Sequence, residues 1–227
     1  MRKVFIDGGA NAGQSAEAFL KHWPDSEQYE IFMFEPDNTS CESIRRSKLF
    51  HSRKVSLIQK AIWIKDGKIP FFSAHPGSEG NTVIKEKVLT AQSYKEYPVD
   101  CVQFSNWIKK NVNKSDYLIV KLDIEGAEYD VVKDLKEKKV MPLIDMLFLE
   151  IHGLKAGKKL KETVELLNTI KSENLKPYMW NAETFDYGTY KDKYYDYYDI
   201  LQDHERWTNI RGDAHSEEAY RIRNKIF

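Results

Sequence analysis

The sequence VFIDGGANAGQS, residues 4–15, joins a short apolar run to an acid and a glycine-rich turn. Ala16, Phe19 and Leu20 follow at spacings that place them on one face of a helix. A buried strand, a tight turn and a helix in this order form the first unit of an open α/β sheet, in which a nucleotide-like ligand lies over the turn. Glycine suits such a turn because a residue without Cβ adopts positive φ and lets backbone approach a ligand closely. An ordinary strand–helix turn without a ligand is the alternative interpretation.

The polar residues of this turn indicate which ligand it would bind. The turn lacks the G-x-G-x-x-G spacing of dinucleotide-binding proteins, and an acid, Asp7, closes the strand. A carboxylate there would attract an ammonium group and repel a pyrophosphate, because opposite charges attract and like charges repel. The turn therefore favours S-adenosylmethionine over NAD as the cofactor. The predicted cofactor-binding residues of this stretch are Asp7, Gly8, Gly9, Ala10, Asn11, Gly13 and Ser15.

Length, charge and cysteine content limit the class of protein. A chain of 227 residues suits one α/β domain, and equal numbers of basic and acidic residues, 35 each, argue against a large nucleic-acid-binding surface. Cys41 and Cys101 lack metal or redox spacing, and no apolar run reaches the length of a membrane span. We therefore expect a cytoplasmic, single-domain protein over residues 1–227. Residues 1–155 form its motif-bearing core, and residues 156–227 form a C-terminal helix, late strands and a tyrosine-rich extension.

A second apolar run also ends on an acid. The sequence EIFMFEPD, residues 30–37, predicts the second strand of the sheet, stopped by Pro36. Such a strand ends beside the glycine turn, where Glu35 can accept hydrogen bonds from both ribose hydroxyls of a nucleoside. We expect Glu35 and Pro36 to lie in the cofactor site. In the alternative interpretation, Glu35 caps the helix that begins near Asp37.

The next stretch predicts the part of the site around the adenine. Residues 55–63 suit a third strand, and Ala61 near its end would lie along the adenine ring. An Asp-Gly turn at residues 66–67 predicts a hairpin whose return strand is residues 69–72. Residues 73–98 are rich in glycine, serine and asparagine and predict a loop over the site, or equally a surface insertion.

The sequence YLIVKLDIEGAE, residues 117–128, is the second informative stretch. Its apolar half is typical of a central parallel strand, and its second half is acidic. Strand geometry places Lys121, Asp123 and Glu125 on one side. Asp123 then lies where a central strand meets the ligand crevice of such a sheet. Alternatively, Asp123 caps the following helix and Glu125 is an acid of its first turn.

The following strand, residues 144–151, leads into a second polar pair. Glu150 and His152 are two residues apart and share a side at the carboxyl end of this strand. Histidine has a pKa near neutrality and can take a proton from an attacking hydroxyl, so His152 is the candidate general base. Asp123 and Glu150 are the other candidate catalytic residues. All three could equally bind a divalent ion, although no metal is predicted.

The C-terminal part offers fewer functional signals. Residues 160–175 predict an amphipathic helix and residues 176–180 a late strand. Residues 184–207 are rich in tyrosine. Such rings suit a sugar face, another protein or simple packing of the chain end.

Four stretches together resemble the FkbM family of S-adenosylmethionine-dependent methyltransferases. They are residues 5–13, 34–36, 121–128 and 149–152, in the order of the family. The resemblance implies a class I methyltransferase fold: a Rossmann-like, seven-stranded, mostly parallel sheet with helices on both faces. It also implies methyl transfer to a hydroxyl oxygen, typically of sugars, glycolipids or polyketide-type metabolites. Gly8 departs mildly from the family pattern, which often has an apolar residue there.

These expectations combine into one functional hypothesis. The protein would be an S-adenosylmethionine-dependent O-methyltransferase acting on a hydroxyl of a sugar, a glycan or a related small molecule. Asp7 and the backbone of residues 9–13 would hold the methionine end of the cofactor, and Glu35 its ribose. Asp123, Glu150 and His152 would line the acceptor pocket, and Asp123 would also contact the cofactor. No nucleic acid or membrane partner is expected, and the oligomeric state is open. The alternative is a non-catalytic module that recognises a glycan or a protein through its tyrosine-rich end.

Overall fold

A computed structural model describes residues 1–51, 54–88, 93–152, 156–158 and 160–180. These residues form nine strands and six α-helices. In chain order they are β1 (Lys3–Gly8), α1 (Gln14–His22), β2 (Tyr29–Phe34), α2 (Asn38–Arg46), β3 (Val55–Ile58), β4 (Ala61–Trp63), β5 (Gly67–Ser73), α3 (Lys85–Val88), β6 (Lys95–Gln103), α4 (Phe104–Asn111), β7 (Tyr117–Leu122), α5 (Glu128–Glu137), β8 (Met146–Leu149), α6 (Leu160–Ser172) and β9 (Pro177–Met179).

The main sheet has the strand order β3-β2-β1-β7-β8-β9, and every neighbouring pair is parallel. The chain builds outward from β1 to β3 on one side and later places β7, β8 and β9 on the other side of β1. The strand order therefore reverses between β1 and β7, and an open sheet binds its ligands in the crevice at this point. The predicted α/β, parallel architecture is confirmed. The described residues supply six strands to this sheet, so its seventh strand stays a prediction.

Helices cover both faces of this sheet because its strands alternate between two apolar cores. Val4 and Ile6 of β1 belong to a core that also contains residues of α4, α5 and α6. Phe5 points the other way, into a core with residues of α1 and α2. The inward side of α5 and of its N-cap residue is buried, and its residues are Ala127, Val131, Val132 and Leu135.

A second, three-stranded sheet corrects two predictions. Residues 55–63 do not form one strand, because the chain turns after β3, where the Lys60 N–H donates to the Ile58 carbonyl at 2.8 Å. β4 then leaves the main sheet and pairs in parallel with β6. The hairpin prediction is also wrong: β5 pairs antiparallel with β6, which lies between β4 and β5. The Asp-Gly pair at residues 66–67 indicates only a local turn. The strand that pairs with β5 is β6, which begins at Lys95.

Other element boundaries differ by a few residues. Residues 73–98 are not one continuous loop, because they contain α3 and the start of β6. β8 is shorter than the predicted strand, and α6 ends at Ser172. Leu167 and Ile170 form the buried stripe of α6, as expected, together with Leu166. The tyrosine-rich residues 184–207 lie outside the described residues. Within the described ranges, no helix has both the length and the apolar composition needed to cross a membrane.

Candidate active site

The candidate site residues lie at the carboxyl ends of four adjacent strands. The glycine turn follows β1, Glu35 follows β2, Asp123 follows β7, and Glu150 and His152 follow β8. Parallel strands present their carboxyl ends at one edge of a sheet, so these residues come together although they are far apart in sequence. Ala61 is the first residue of β4 and belongs to the apolar core of the small sheet. Its contact with an adenine ring stays a prediction.

Backbone hydrogen bonds hold the glycine turn against the end of β2. The N–H groups of Gly9 and Ala10 both donate to the Phe34 carbonyl at 3.0 Å. Gly13 has a φ of 98° and precedes α1, in whose first turn Ser15 is buried. Asn11, in the same turn, donates its N–H to a Glu35 carboxylate oxygen at 2.8 Å. The turn and Glu35 therefore form one unit.

Gly9 has a structural reason to be glycine. Its φ is +73°, and a Cβ at this position would overlap the carbonyl oxygen of Asp123. The sequence suggested that the absence of Cβ lets a ligand approach. In the structure, the group that approaches Gly9 closely is the backbone of the turn after β7, not a ligand. The N–H of Asp123 also donates to the Gly8 carbonyl at 3.1 Å, so the two turns pack directly against each other.

Replacing Gly9 with alanine should lower the free energy of unfolding by about 2–3 kcal/mol. The added Cβ would overlap the Asp123 carbonyl, and it would be strained at a left-handed φ. Urea denaturation measures this change. Gly80→Ala is the matched control, because a Cβ at Gly80 would meet nothing within 4 Å. Equal stability of the two variants would contradict the contact between the two turns.

Glu35 is buried and accepts two backbone hydrogen bonds. Its carboxylate receives the N–H of Asn11 at 2.8 Å and that of Asp37 at 2.7 Å. Burial raises the pKa of Glu35 to about 7, against the opposing effect of these two N–H donors. The helix-cap alternative is wrong, because Asp37 caps α2 by accepting the Ser40 N–H at 2.9 Å. Pro36 lies between the two acids and is half-buried.

Asp7 forms a buried ion pair inside the sheet. Its carboxylate lies 3.1 Å from Lys121 Nζ, and neither side chain has exposed surface. Lys121 also donates to the Gly9 carbonyl at 2.8 Å and lies 3.5 Å from Asp123. Burial lowers the pKa of Lys121, but Asp7 and Asp123 outweigh burial and hold it above its ordinary value. In this arrangement Asp7 supports the glycine turn, and its direct contact with a cofactor ammonium stays a prediction.

Four carboxylates surround the His152 ring. Its Nε2 lies 3.3 Å from Glu150 and from Glu125, and 3.9 Å from Asp123. Its Nδ1 lies 3.5 Å from Glu128. The imidazole is buried, whereas the Asp123 and Glu150 side chains are 23% and 31% exposed. The acids thus reach the crevice while the ring lies beneath them.

This environment determines the charge of His152. Burial lowers the pKa of the imidazole, but Glu128 and Glu150 outweigh burial and raise it to about 9. The ring is therefore an imidazolium at neutral pH in the ligand-free protein. A base role for His152 requires the small neutral fraction, or a ligand whose positive charge favours the neutral ring.

The helix-cap interpretation of the acids between β7 and α5 is wrong. α5 begins at Glu128 with Ala127 as its N-cap residue, so Asp123 is not a cap. Glu125 has a φ of 58° and directs its carboxylate toward His152. It also forms an ion pair with Lys87, whose side chain is 9% exposed.

Residues in and before β6 contact both acidic turns. Whether this segment covers a bound ligand stays a prediction. The Gly77 N–H donates to Asp37 at 3.2 Å, and the Tyr97 hydroxyl of β6 donates to the same carboxylate at 3.0 Å. At the other end, the Thr82 hydroxyl donates to the Glu125 carbonyl at 2.8 Å. The segment thus joins the turn after β2 to the turn after β7.

The sequence interpretation did not assign site roles to Lys87, Lys121 or Glu128. Lys121 carried a usable signal, because a lysine inside an apolar strand needs a buried acid on a neighbouring strand. Asp7 is its register partner on β1. Lys87 carried no such signal, since it lies in a lysine-rich stretch whose position depends on the tertiary fold.

A divalent cation was an open alternative for Asp123, Glu150 and His152. In the structure the closest set is Asp123, Glu125 and His152, which each offer an atom within 4.8 Å of the others. Lys87 already provides positive charge there, as does a protonated His152.

The chain matches a known protein family over most of its length. A family model described as Methyltransferase FkbM domain matches residues 7–177, which is most of the chain. The match confirms the resemblance predicted from the four motif stretches. Neither curated proteins nor solved structures give a match to this chain.

Proposed function

We propose that this chain, which belongs to the FkbM methyltransferase family, is an S-adenosylmethionine-dependent O-methyltransferase acting on a hydroxyl of a sugar, a glycan or a related small molecule. One observation carries the proposal. The glycine turn with Glu35 and the acidic cluster around His152 share the crevice where the strand order reverses. A nucleoside site and a proton-accepting site at one edge are what such a reaction requires.

The chain's own groups suit the nucleoside end of the cofactor. Glu35 already accepts hydrogen bonds from N–H groups of the turn, and its carboxylate has further lone pairs for two ribose hydroxyls. The backbone of residues 9–13 would hold the methionine end. The cofactor supplies an electrophilic methyl group on a sulfonium when bound.

The acceptor end is assigned to Asp123, Glu150 and His152. Asp123 and Glu150 are exposed enough to orient a hydroxyl by accepting its hydrogen bonds. His152 would take the hydroxyl proton, directly or through one of these carboxylates, because an alcohol is a poor nucleophile until its proton leaves. Most of the rate acceleration would come from holding the acceptor oxygen in line with the methyl group.

Affinity for S-adenosylhomocysteine should fall as the pH drops below about 7, approaching tenfold per pH unit. The reason is that the raised pKa of Glu35 protonates the carboxylate in this range, and a protonated carboxyl loses acceptor capacity for ribose hydroxyls. Calorimetric titrations between pH 5.5 and 8.5 measure the change. Binding above pH 7.5 should be nearly independent of pH.

Glu35→Gln is the control for this prediction, because glutamine keeps the shape of the side chain and does not titrate. Its affinity should be lower and flat across the range. A wild-type affinity that does not change between pH 5.5 and 7.5 would contradict ribose binding by an ionised Glu35.

Methyl transfer itself is tested with radiolabelled cofactor. The purified chain is incubated with S-adenosylmethionine labelled on the methyl group and with sugars, glycolipids and hydroxylated small molecules. Label in an alkali-stable product, at a hydroxyl oxygen located by mass spectrometry, is the expected result. Cofactor binding without transfer to any hydroxyl, combined with glycan or protein binding, would favour the non-catalytic module instead.

The proposed reaction belongs in the cytoplasm. Cys41 and Cys101 are both free and buried, which fits a reducing compartment. A small-molecule or glycan acceptor is the only partner that the proposal needs.

A further inference from the structure

We propose that Glu128 is a positioning residue that fixes both the acidic turn after β7 and the ring of His152. This inference rests on the proposed function, because positioning has a catalytic meaning only if the cluster binds the acceptor. Glu128 itself would touch neither cofactor nor acceptor, since its side chain has no exposed surface.

The first contact of Glu128 is with the turn. One carboxylate oxygen accepts the N–H of Ile124 at 2.8 Å, and the other accepts the N–H of Gly126 at 2.9 Å. Glu125, between them, has a φ of 58°, and Gly126 has a φ of 106°. A left-handed conformation is unfavourable for a residue with Cβ. Two charge-assisted hydrogen bonds offset this cost and hold the turn in the form that directs Glu125 toward His152.

The second contact of Glu128 is with the imidazole. Its Oε1, which also accepts the Ile124 N–H, lies 3.5 Å from His152 Nδ1. With Nδ1 directed at Glu128, Nε2 points to Glu125 and Glu150, each at 3.3 Å. One buried carboxylate therefore contacts both the turn after β7 and His152, which follows β8. It fixes the position of the turn relative to the imidazole.

A purely structural role for Glu128 makes different predictions. A buried acid that only satisfies two N–H groups would change stability when replaced, and the folded fraction would keep its turnover. A positioning residue changes turnover in the folded protein, because a misplacement of about 1 Å in the reacting groups can cost about 10²-fold in rate. Turnover of folded protein, set beside cofactor affinity, separates the two roles.

The test compares Glu128→Ala and Glu128→Gln with Glu137→Gln, an exposed acid on the same helix. We expect Glu128→Ala to lose hydrogen-exchange protection at the Ile124 and Gly126 amides, and to change the ¹⁵N ring signals of His152. Its kcat should fall about 10²-fold, with affinity for S-adenosylhomocysteine within about threefold of wild type. Glu128→Gln retains one acceptor oxygen and should recover part of the rate. Glu137→Gln should behave as wild type.

Two outcomes overturn the inference. Unchanged amide protection in Glu128→Ala would show that the carboxylate does not hold the turn. Wild-type kcat in folded Glu128→Gln and Glu128→Ala would leave only a structural role. If Glu128→Ala does not fold, Glu128→Gln decides alone. A wild-type protein that binds no S-adenosylhomocysteine refutes the proposed function instead, and the exchange and ring signals still decide whether Glu128 holds the cluster.

Discussion

Replacing His152 with glutamine should lower turnover by about 10²–10⁴-fold, the usual contribution of a general base, with little change in affinity for S-adenosylhomocysteine. His152 lies beneath Glu150 and Asp123, at the end of the crevice that we propose binds the acceptor. Glutamine fills similar space and can hydrogen-bond the surrounding carboxylates, but it cannot take a proton. Steady-state kinetics and calorimetry on the same preparation measure both quantities. His22→Gln, an exposed change in α1, is the matched control.

The pH profile adds a second readout of the same prediction. Because the carboxylates hold the pKa of His152 at about 9, the neutral ring becomes tenfold scarcer for each pH unit below that value. If the neutral ring is the base, kcat/KM should rise with pH between about 6 and 9. The facing groups are Asp123 and Glu125 on the turn, Glu128 on α5 and Glu150 after β8. Glu150→Gln should move the rise to lower pH, because it removes a negative charge 3.3 Å from Nε2.

His152→Gln with wild-type turnover would remove His152 from the mechanism. A flat wild-type profile across this range, with His152→Gln still inactive, would assign the residue an electrostatic role rather than proton transfer.

Replacing Lys121 with methionine should cost about 3–5 kcal/mol in the free energy of unfolding, because it leaves a buried carboxylate without its partner. Asp7 and Lys121 are both fully buried and lie 3.1 Å apart on neighbouring strands. The change also removes the hydrogen bond from Lys121 to the Gly9 carbonyl, so the glycine turn should loosen. Urea denaturation monitored by tryptophan fluorescence measures the loss.

A double variant separates the lost charge pair from lost packing. Asp7→Asn removes the buried charge and keeps the size of the side chain. The double variant Asp7→Asn with Lys121→Met should therefore be more stable than Lys121→Met alone. A double variant at least as unstable as the sum of the two single changes would contradict the ion pair as the main stabilising contact here.

The local features of the fold could be predicted from the sequence. The apolar run before Asp7 and the glycines after it predicted β1, its turn and α1. The apolar run before Glu35 predicted β2 in the same way, and parallel pairing then placed both turns at one edge. The convergence of Asp123, Glu150 and His152 followed from the same rule, since each follows a strand of one parallel sheet.

The missed features depend on contacts between distant segments. β6 inserts between β4 and β5, which no local turn signal indicates. The ion pair between Asp7 and Lys121 was also missed, because it joins residues that are far apart in the chain. The sequence interpretation assigned no role to Glu128, whose side chain folds back onto the preceding turn. In each case the partner is fixed by tertiary packing rather than by spacing along the chain.

Calorimetric binding of S-adenosylhomocysteine to wild type and to Glu35→Ala, with NAD as the comparison ligand, tests the central claim most directly. We predict binding of S-adenosylhomocysteine in the micromolar range, its loss in Glu35→Ala, and no binding of NAD, because Glu35 would accept the ribose hydroxyls while the turn lacks a dinucleotide-binding pattern. Failure of the folded wild-type protein to bind S-adenosylhomocysteine would contradict the proposed methyltransferase function.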